Sequence, residues 1–277
     1  MKILIKTGLA VVALSLCFNA KAIAGRFEEG VAAFSVADYA TAYRLWLPLA
    51  NQENAGAQYR LGSMFYFGEG VPQDYAEAIK WFRKAAAQGN AGAQYRLGNM
   101  FYLGEGMPQG YAEAVEWYRK VADQGVAPAQ SALGSMFYFG EGVPQDYAEA
   151  LKWHRKAANQ GNASSQFDLG IMYDNGQGVP QDYAEAAKWY RKAAAQGVAR
   201  AQNNLGSMYG KGQGVPQDYV QAHKWYNLAA ATLTGKADRE QAASNRDMTA
   251  RKMTPAQVAE AQKLAREWKP KSSNLGK

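Results

Sequence analysis

Residues 57–89 read AQYRLGSMFYFGEGVPQDYAEAIKWFRKAAAQG, and this stretch decides the fold. Its first half places Ala57, Leu61, Met64 and Phe65 at the i, i+4, i+7, i+8 spacing of an amphipathic helix. Gly62 lies inside that helix at a cost of about 1 kcal/mol against alanine, so it needs a compensating gain, the close approach of a neighbouring helix. Gly68 ends the helix as a left-handed residue and opens the turn that runs to Gln73. Asp74 caps a second helix, with Glu77 three residues on in a capping-box pattern. Tyr75, Ala78, Trp81, Phe82, Ala85 and Ala86 form the buried stripe of that helix. Glu77, Lys80, Arg83, Lys84 and Gln88 face water, and Gly89 ends the unit.

The unit is written five times. Pro72, Pro108, Pro144, Pro180 and Pro216 stand 36 residues apart, and Trp81, Trp117, Trp153, Trp189 and Trp225 keep the same step. The pair Leu61-Gly62 recurs at 97–98, 133–134, 169–170 and 205–206. Nineteen of the 28 glycines fall in the four columns headed by Gly62, Gly68, Gly70 and Gly89. A strict period of this length marks a repeat architecture. Two short amphipathic helices cannot close a core alone, whereas stacked copies can. The expected fold is all-α, a right-handed α/α superhelical solenoid of helix-turn-helix repeats.

At these residues the chain resembles the Sel-one-like repeat family, a relative of the tetratricopeptide repeats. The match runs A-Q-Y-x-L-G-x-M-F, then G-x-G-V-P-Q-D-Y-A-E-A, then K-W-x-R-K-A-A-x-Q-G, in five full copies over residues 55–234. Within residues 25–54, Phe27–Phe34 and Asp38–Asn51 look like a degenerate copy that starts the array. The resemblance implies a tetratricopeptide-like binding scaffold rather than a reaction. It also implies an alternative, a cell-wall-directed ligand binder or hydrolase, because some cysteine-rich relatives have been credited with penicillin binding or β-lactamase activity. Those relatives carry disulfides in their repeats, and the one cysteine here is Cys17.

The two ends differ from the body. Lys2 and Lys6 precede an apolar run of about ten residues, too short to span a bilayer. Ala20-Lys21-Ala22 and Ala22-Ile23-Ala24 both offer small residues for cleavage. This is the order of a secretory signal peptide over residues 1–24, so the protein is expected to be exported, periplasmic or secreted. Leu16 before Cys17 makes a poor lipoprotein site. No later stretch is long and apolar enough to span a membrane. At the other end, residues 235–277 read as capping helices and a loose tail. Asp238–Lys252 forms one helix, Thr254-Pro255-Ala256-Gln257 opens another that runs to about Trp268, and Pro270 ends it.

Charge follows the same division. Residues 1–24 hold three lysines and no acid, and residues 236–277 hold ten basic and five acidic residues. The body between them is left with eighteen basic and nineteen acidic residues. A nucleic-acid groove would need a basic face on that body, so no nucleic acid is expected as a partner.

Chemistry-bearing residues are few. His154 occupies the column of Phe82, Tyr118, Tyr190 and Tyr226, and His223 that of Ile79, Val115, Leu151 and Ala187, both packing slots. They lie about two repeats apart, too far to share a metal. The recurring G-E-G turns lack the spacing of a phosphate loop. Asp174-Asn175-Gly176 lacks that of a calcium loop. Asp74, Asp146, Asp182 and Asp218 recur at a cap position. No catalytic residue, cofactor or metal is expected.

The residues that break the repeat are more informative. Opposite the fixed stripe of the first helix, a variable stripe carries Tyr59, Arg60, Tyr66 and Phe67, then Tyr95, Arg96, Tyr102 and Leu103, then Tyr138 and Phe139. It turns towards polar residues in the last two units, at Phe167, Asp168, Asp174 and Asn175 and at Asn203, Asn204, Gly210 and Lys211. Two readings of the aromatics stand open: packing between adjacent first helices, or a face that binds a protein or peptide. The leader carries its own test. Sequencing of the exported protein should begin at Ile23 or Gly25, and an intact Met1 on an unexported product would refute the leader.

Overall fold

The computed structural model describes residues 24–271. Most of the expected leader and the last six residues of the tail lie outside the described residues. All regular structure in the described residues is helical. Helix α1 (24–35) leads into α2 (Tyr39–Asn51), α3 (Ala55–Phe67), α4 (Tyr75–Ala87), α5 (Ala91–Leu103) and α6 (Tyr111–Asp123). Then come α7 (Ala127–Phe139), α8 (Tyr147–Asn159), α9 (Ala163–Asn175), α10 (Tyr183–Ala195), α11 (Ala199–Lys211) and α12 (Tyr219–Thr232). α13 (Lys236–Ala250) and α14 (Pro255–Glu267) close the chain. The chain divides into two compact units, one ending at Val121 and the other beginning at Ala122. Both are built of paired helices in the helix-turn-helix pattern of a repeat solenoid.

Each pair is set by one contact. A methyl group placed on Gly62 of α3 would lie 2.6 Å from Cδ1 of Phe82 on α4, and one on Gly98 of α5 would lie 2.7 Å from Tyr118 on α6. In the second unit Gly134 meets His154, Gly170 meets Tyr190 and Gly206 meets Tyr226. The bare backbone of the first helix is the seat for a ring from the second. The ordering continues upstream in a shorter form, with Gly30 of α1 facing the indole of Trp46 on α2. Trp46 stands 36 residues before Phe82, and the α1–α2 turn is four residues shorter than the α3–α4 turn and its counterparts inside the later repeats.

The turns are equally regular. Gly68 takes φ +71° and its N–H donates to the Met64 carbonyl, while the Asp74 N–H returns to the Phe65 carbonyl at 2.9 Å. The Gln73 side-chain amide donates to the Tyr66 carbonyl at 2.8 Å, which satisfies an open carbonyl at the helix end. Gln109, Gln145, Gln181 and Gln217 do the same in their units. Asp74 caps α4 by accepting from the Glu77 N–H at 3.0 Å. The reciprocal half of the capping box does not form, because the Glu77 carboxylate pairs with Lys80 one turn on.

Successive pairs are joined through glutamines. Buried Gln58 donates to the Ala50 carbonyl at the end of the preceding helix and accepts from Gln88 at 2.8 Å. Gln88 itself stays exposed, as the pattern predicts, while its amide reaches inward to Gln58. In the second unit Gln130 donates to Ala122 and accepts from Gln160, and Gln166 donates to Ala158 and accepts from Gln196. The row ends at Gln202, whose Oε1 has no partner because Thr232 occupies the place of the next glutamine. The second glycine of each turn completes the joint. Gly70 seats on Tyr39 and Gly106 on Tyr75 in the first unit, and Gly178 on Tyr147 and Gly214 on Tyr183 in the second.

The last pair is closed by α13 and α14. Thr254 and Gln257 form a full capping box at the start of α14. Trp268 packs edge-on to Trp225 with centroids 6.3 Å apart, and the Lys271 N–H reaches back to the Ala195 carbonyl at 2.8 Å.

Gly62→Ala tests the seat by its sign. In an open helix the change stabilises by about 1 kcal/mol. Against the Phe82 ring it should instead destabilise by about 1–3 kcal/mol, as overpacking does. Urea unfolding of the two proteins measures the difference, and a gain in stability would refute the seat.

Candidate partner-binding site

The variable stripe separates into residues spent on packing and residues left at the surface. In the first unit Tyr59 lies against Phe82 with centroids 5.9 Å apart, and Tyr95 lies against Tyr118 at 5.6 Å. Burial raises the pKa of Tyr95 above the usual phenol range. The Arg60 guanidinium sits 5.8 Å above the Trp46 ring. These three residues join helices to one another.

Tyr66 and Phe67, on the last turn of α3, are placed differently. The Tyr66 hydroxyl donates to Glu105 Oε2 at 2.6 Å. Burial, followed by that bond and the Glu105 charge, pushes its pKa up to about 12, so the group stays a neutral donor. Its ring leans on Tyr75 and meets Phe67 edge-on at 4.8 Å and 87°. Arg96 of α5 spans both rings, 5.4 Å from Tyr66 and 5.0 Å from Phe67. Phe67 nonetheless remains 50% exposed, and Leu103 at the matching position of α5 is 57% exposed. Tyr102 packs against Tyr111 at 5.3 Å. The result is an apolar surface on a fixed base, flanked by one cation and one carboxylate.

The second unit repeats the device at the end of α7. Tyr138 leans on Tyr147 and donates to Gln177 Oε1 at 2.8 Å, while Phe139 stands edge-on to it and is 65% exposed. Beside them lies a cavity of about 180 Å³, lined by Ser135, Tyr138, Phe139, His154, Asp168 and Ile171. His154 is buried in the aromatic slot, with Nδ1 3.3 Å from Ser165 Oγ and 3.6 Å from Asp168 Oδ2. Burial lowers the His154 pKa to about 4 and raises that of Asp168 to about 7. A charged pair at 3.6 Å would attract, but desolvation outweighs that attraction for both groups. Burial therefore favours the uncharged form of each group, the neutral imidazole and the protonated carboxyl.

Serine, histidine and aspartate meet here without forming a catalytic triad. A triad places the hydroxyl and the carboxylate on opposite ring nitrogens. Both groups here approach Nδ1, and Ser165 is fully buried. The other histidine, His223, is buried near Arg246 and Asp247, with Nδ1 unpartnered, and burial followed by the Arg246 charge lowers its pKa. Among the described residues no group of three His, Cys, Asp or Glu side chains could hold a metal ion. Among them, too, no helix is long and apolar enough to cross a membrane.

Neither the exposure of Leu103 nor the Asp168–His154 approach is visible in a column of the repeat. The available signal was that Asp168 is the only acid in a column otherwise holding Arg60, Arg96, Ala132 and Asn204.

Comparison with known proteins agrees with this architecture. The Sel1 repeat model matches five consecutive segments, residues 55–90, 91–126, 127–162, 163–198 and 199–231. The chain belongs to the Sel1 repeat family, whose members generally serve as protein-interaction scaffolds. No curated protein matches it. Among solved structures, a Sel1 repeat protein from Oxalobacter formigenes is 31% identical, with a TM-score of 0.75 over 88% of this chain and 100% of that one. The protective antigen c5321 of uropathogenic Escherichia coli, which displays the same repeat fold, is 26% identical, with a TM-score of 0.46 over 89% of this chain and 76% of that one.

The His154–Asp168 pair gives stability a testable pH dependence. A depressed histidine pKa contributes stability that is present above about 6.5 and lost as pH falls toward 4. A raised carboxyl pKa contributes stability that is present below 3.8 and lost as pH rises through about 7. The two slopes oppose each other in the native protein. In Asp168→Asn only the histidine slope remains, so its melting temperature should climb from pH 5 to pH 7 more steeply than that of the native protein. Parallel curves would show that Asp168 titrates normally.

Proposed function

We propose that this protein is an exported, non-enzymatic scaffold that holds a protein or peptide partner on the first-helix face. The observation that carries the reading is the exposed Phe67 ring fixed between Tyr66 and Arg96. A large apolar group held in place loses little further freedom on binding, and such aromatic and arginine clusters are where interface energy concentrates. Leu103 extends the surface along α5, and Phe139 offers the same feature in the second unit. The leader-like residues 1–24 support export, which gives the periplasm or the exterior as the place of action.

Photo-crosslinking in the native host tests the face. Benzoylphenylalanine at position 67 or 103 should give a discrete adduct with another polypeptide, while the same probe at Lys211 should give none. Once that partner is in hand, Phe67→Ser with Leu103→Ser should weaken binding by about 2 kcal/mol, on the scale of interface hot spots, without lowering the melting temperature. Equal adducts at all three positions, or none at 67 and 103, would refute the reading.

A further inference from the structure

The aromatic slot of the second helix is occupied by tyrosine in the two later pairs of the second unit, at Tyr190 and Tyr226, and by His154 in the first. Imidazole is the shorter ring. The hydroxyl end of Tyr190 reaches Asp174 Oδ2 at 3.3 Å. His154 stops short, and the cavity of about 180 Å³ opens beside it. The exchange coincides with a second one, since Asp168 places a carboxylate on that cavity where the repeat otherwise carries arginine, alanine or asparagine.

The walls define what the cavity accepts. Tyr138 and Phe139 offer ring faces and edges, Ile171 is aliphatic, and Phe139 stands exposed at the mouth. Asp168 keeps 31% of its side chain exposed, so its carboxylate is accessible to an occupant. An anion would meet that carboxylate with no cation among the lining residues. A neutral apolar group would strand it. A cation on a hydrocarbon stem satisfies every wall: the stem lies on Ile171 and Phe139, and the head meets Asp168 beside aromatic rings, which attract cations. We infer that this cavity is a binding site for a positively charged side chain, lysine or arginine, presented by the partner segment. The inference rests on the first-helix face being the docking surface, because Tyr138 and Phe139 belong to that face.

The titratable groups on the cavity are Asp168, His154 and Tyr138. His154 is neutral above about pH 4 and does not repel a cation. Asp168 ionises through about pH 7, so cation binding should strengthen between pH 6 and pH 8.

The test needs no partner protein. N-acetyl-lysine methylamide, N-acetyl-arginine methylamide and the uncharged N-acetyl-norleucine methylamide are titrated into the full chain and followed by the Ile171 methyl and His154 ring signals. At least one cationic probe should bind about tenfold more tightly than norleucine, and more tightly at pH 8 than at pH 6. Asp168→Asn should remove that preference. His154→Tyr restores the ring of the neighbouring repeats, so it should fill the cavity, remove binding of all three probes and keep a native circular dichroism spectrum. If His154→Tyr fails to fold, Asp168→Asn alone decides the question. Equal binding of norleucine, a preference that survives Asp168→Asn, or no binding by any probe would overturn the inference. Probe binding without an adduct at position 67 would reject the partner face alone, and the reverse would reject the cavity alone.

Discussion

The contact on which the rest of the structure depends is a ring laid on bare backbone. Each first helix gives up a side chain at one position so that an aromatic from the second helix can reach its main chain. Glycine there weakens the isolated helix by about 1 kcal/mol. The loss is offset only if the ring arrives, so neither helix of a pair is well specified without the other. That dependence explains why Gly62 and Phe82 recur together at a fixed spacing. It also explains why the α1–α2 pair, with a shorter turn and little of the consensus, still sets Gly30 against Trp46.

The period made the helix pairs legible, and the left-handed glycines made the turns legible. Gly62 was readable as a close approach, though the atoms that make it were not. The glutamines escaped notice for a physical reason. Gln88 faces water as the pattern assigns it, yet its amide reaches in to Gln58, and an amide such as that of Gln58 can be buried once its donors and acceptor are met. The Ala50 carbonyl, which accepts from Gln58, and the Gln88 amide, which donates to it, supply the partners that make burial of Gln58 acceptable. Glu77 shows the opposite case, where a correct local motif lost to an equally local competitor in Lys80.

The candidate site was readable as a face and not as a set of atoms. Tyr59, Tyr66 and Tyr95 share one stripe, but Tyr59 and Tyr95 close gaps between helices while Tyr66 props an exposed neighbour. Side-chain type cannot separate those roles, because a phenol serves equally as filler and as support. Asp168 was harder still. Its effect depends on His154, fourteen residues earlier and on another helix, being too short to fill its slot.

The glutamine joints use positions that the first four full repeats share, and no residue of the variable stripe enters them. A joint of that kind is indifferent to which copies it connects. Recombination between two copies out of step by a whole period would delete or duplicate a helix pair and leave each new junction with the same amides, carbonyls and glycine seats as the old. The number of pairs can therefore drift during descent without loss of these joints. Length in such a chain rests on the joints alone, while specificity also depends on which neighbour a surface residue meets, as Tyr66 meets Glu105.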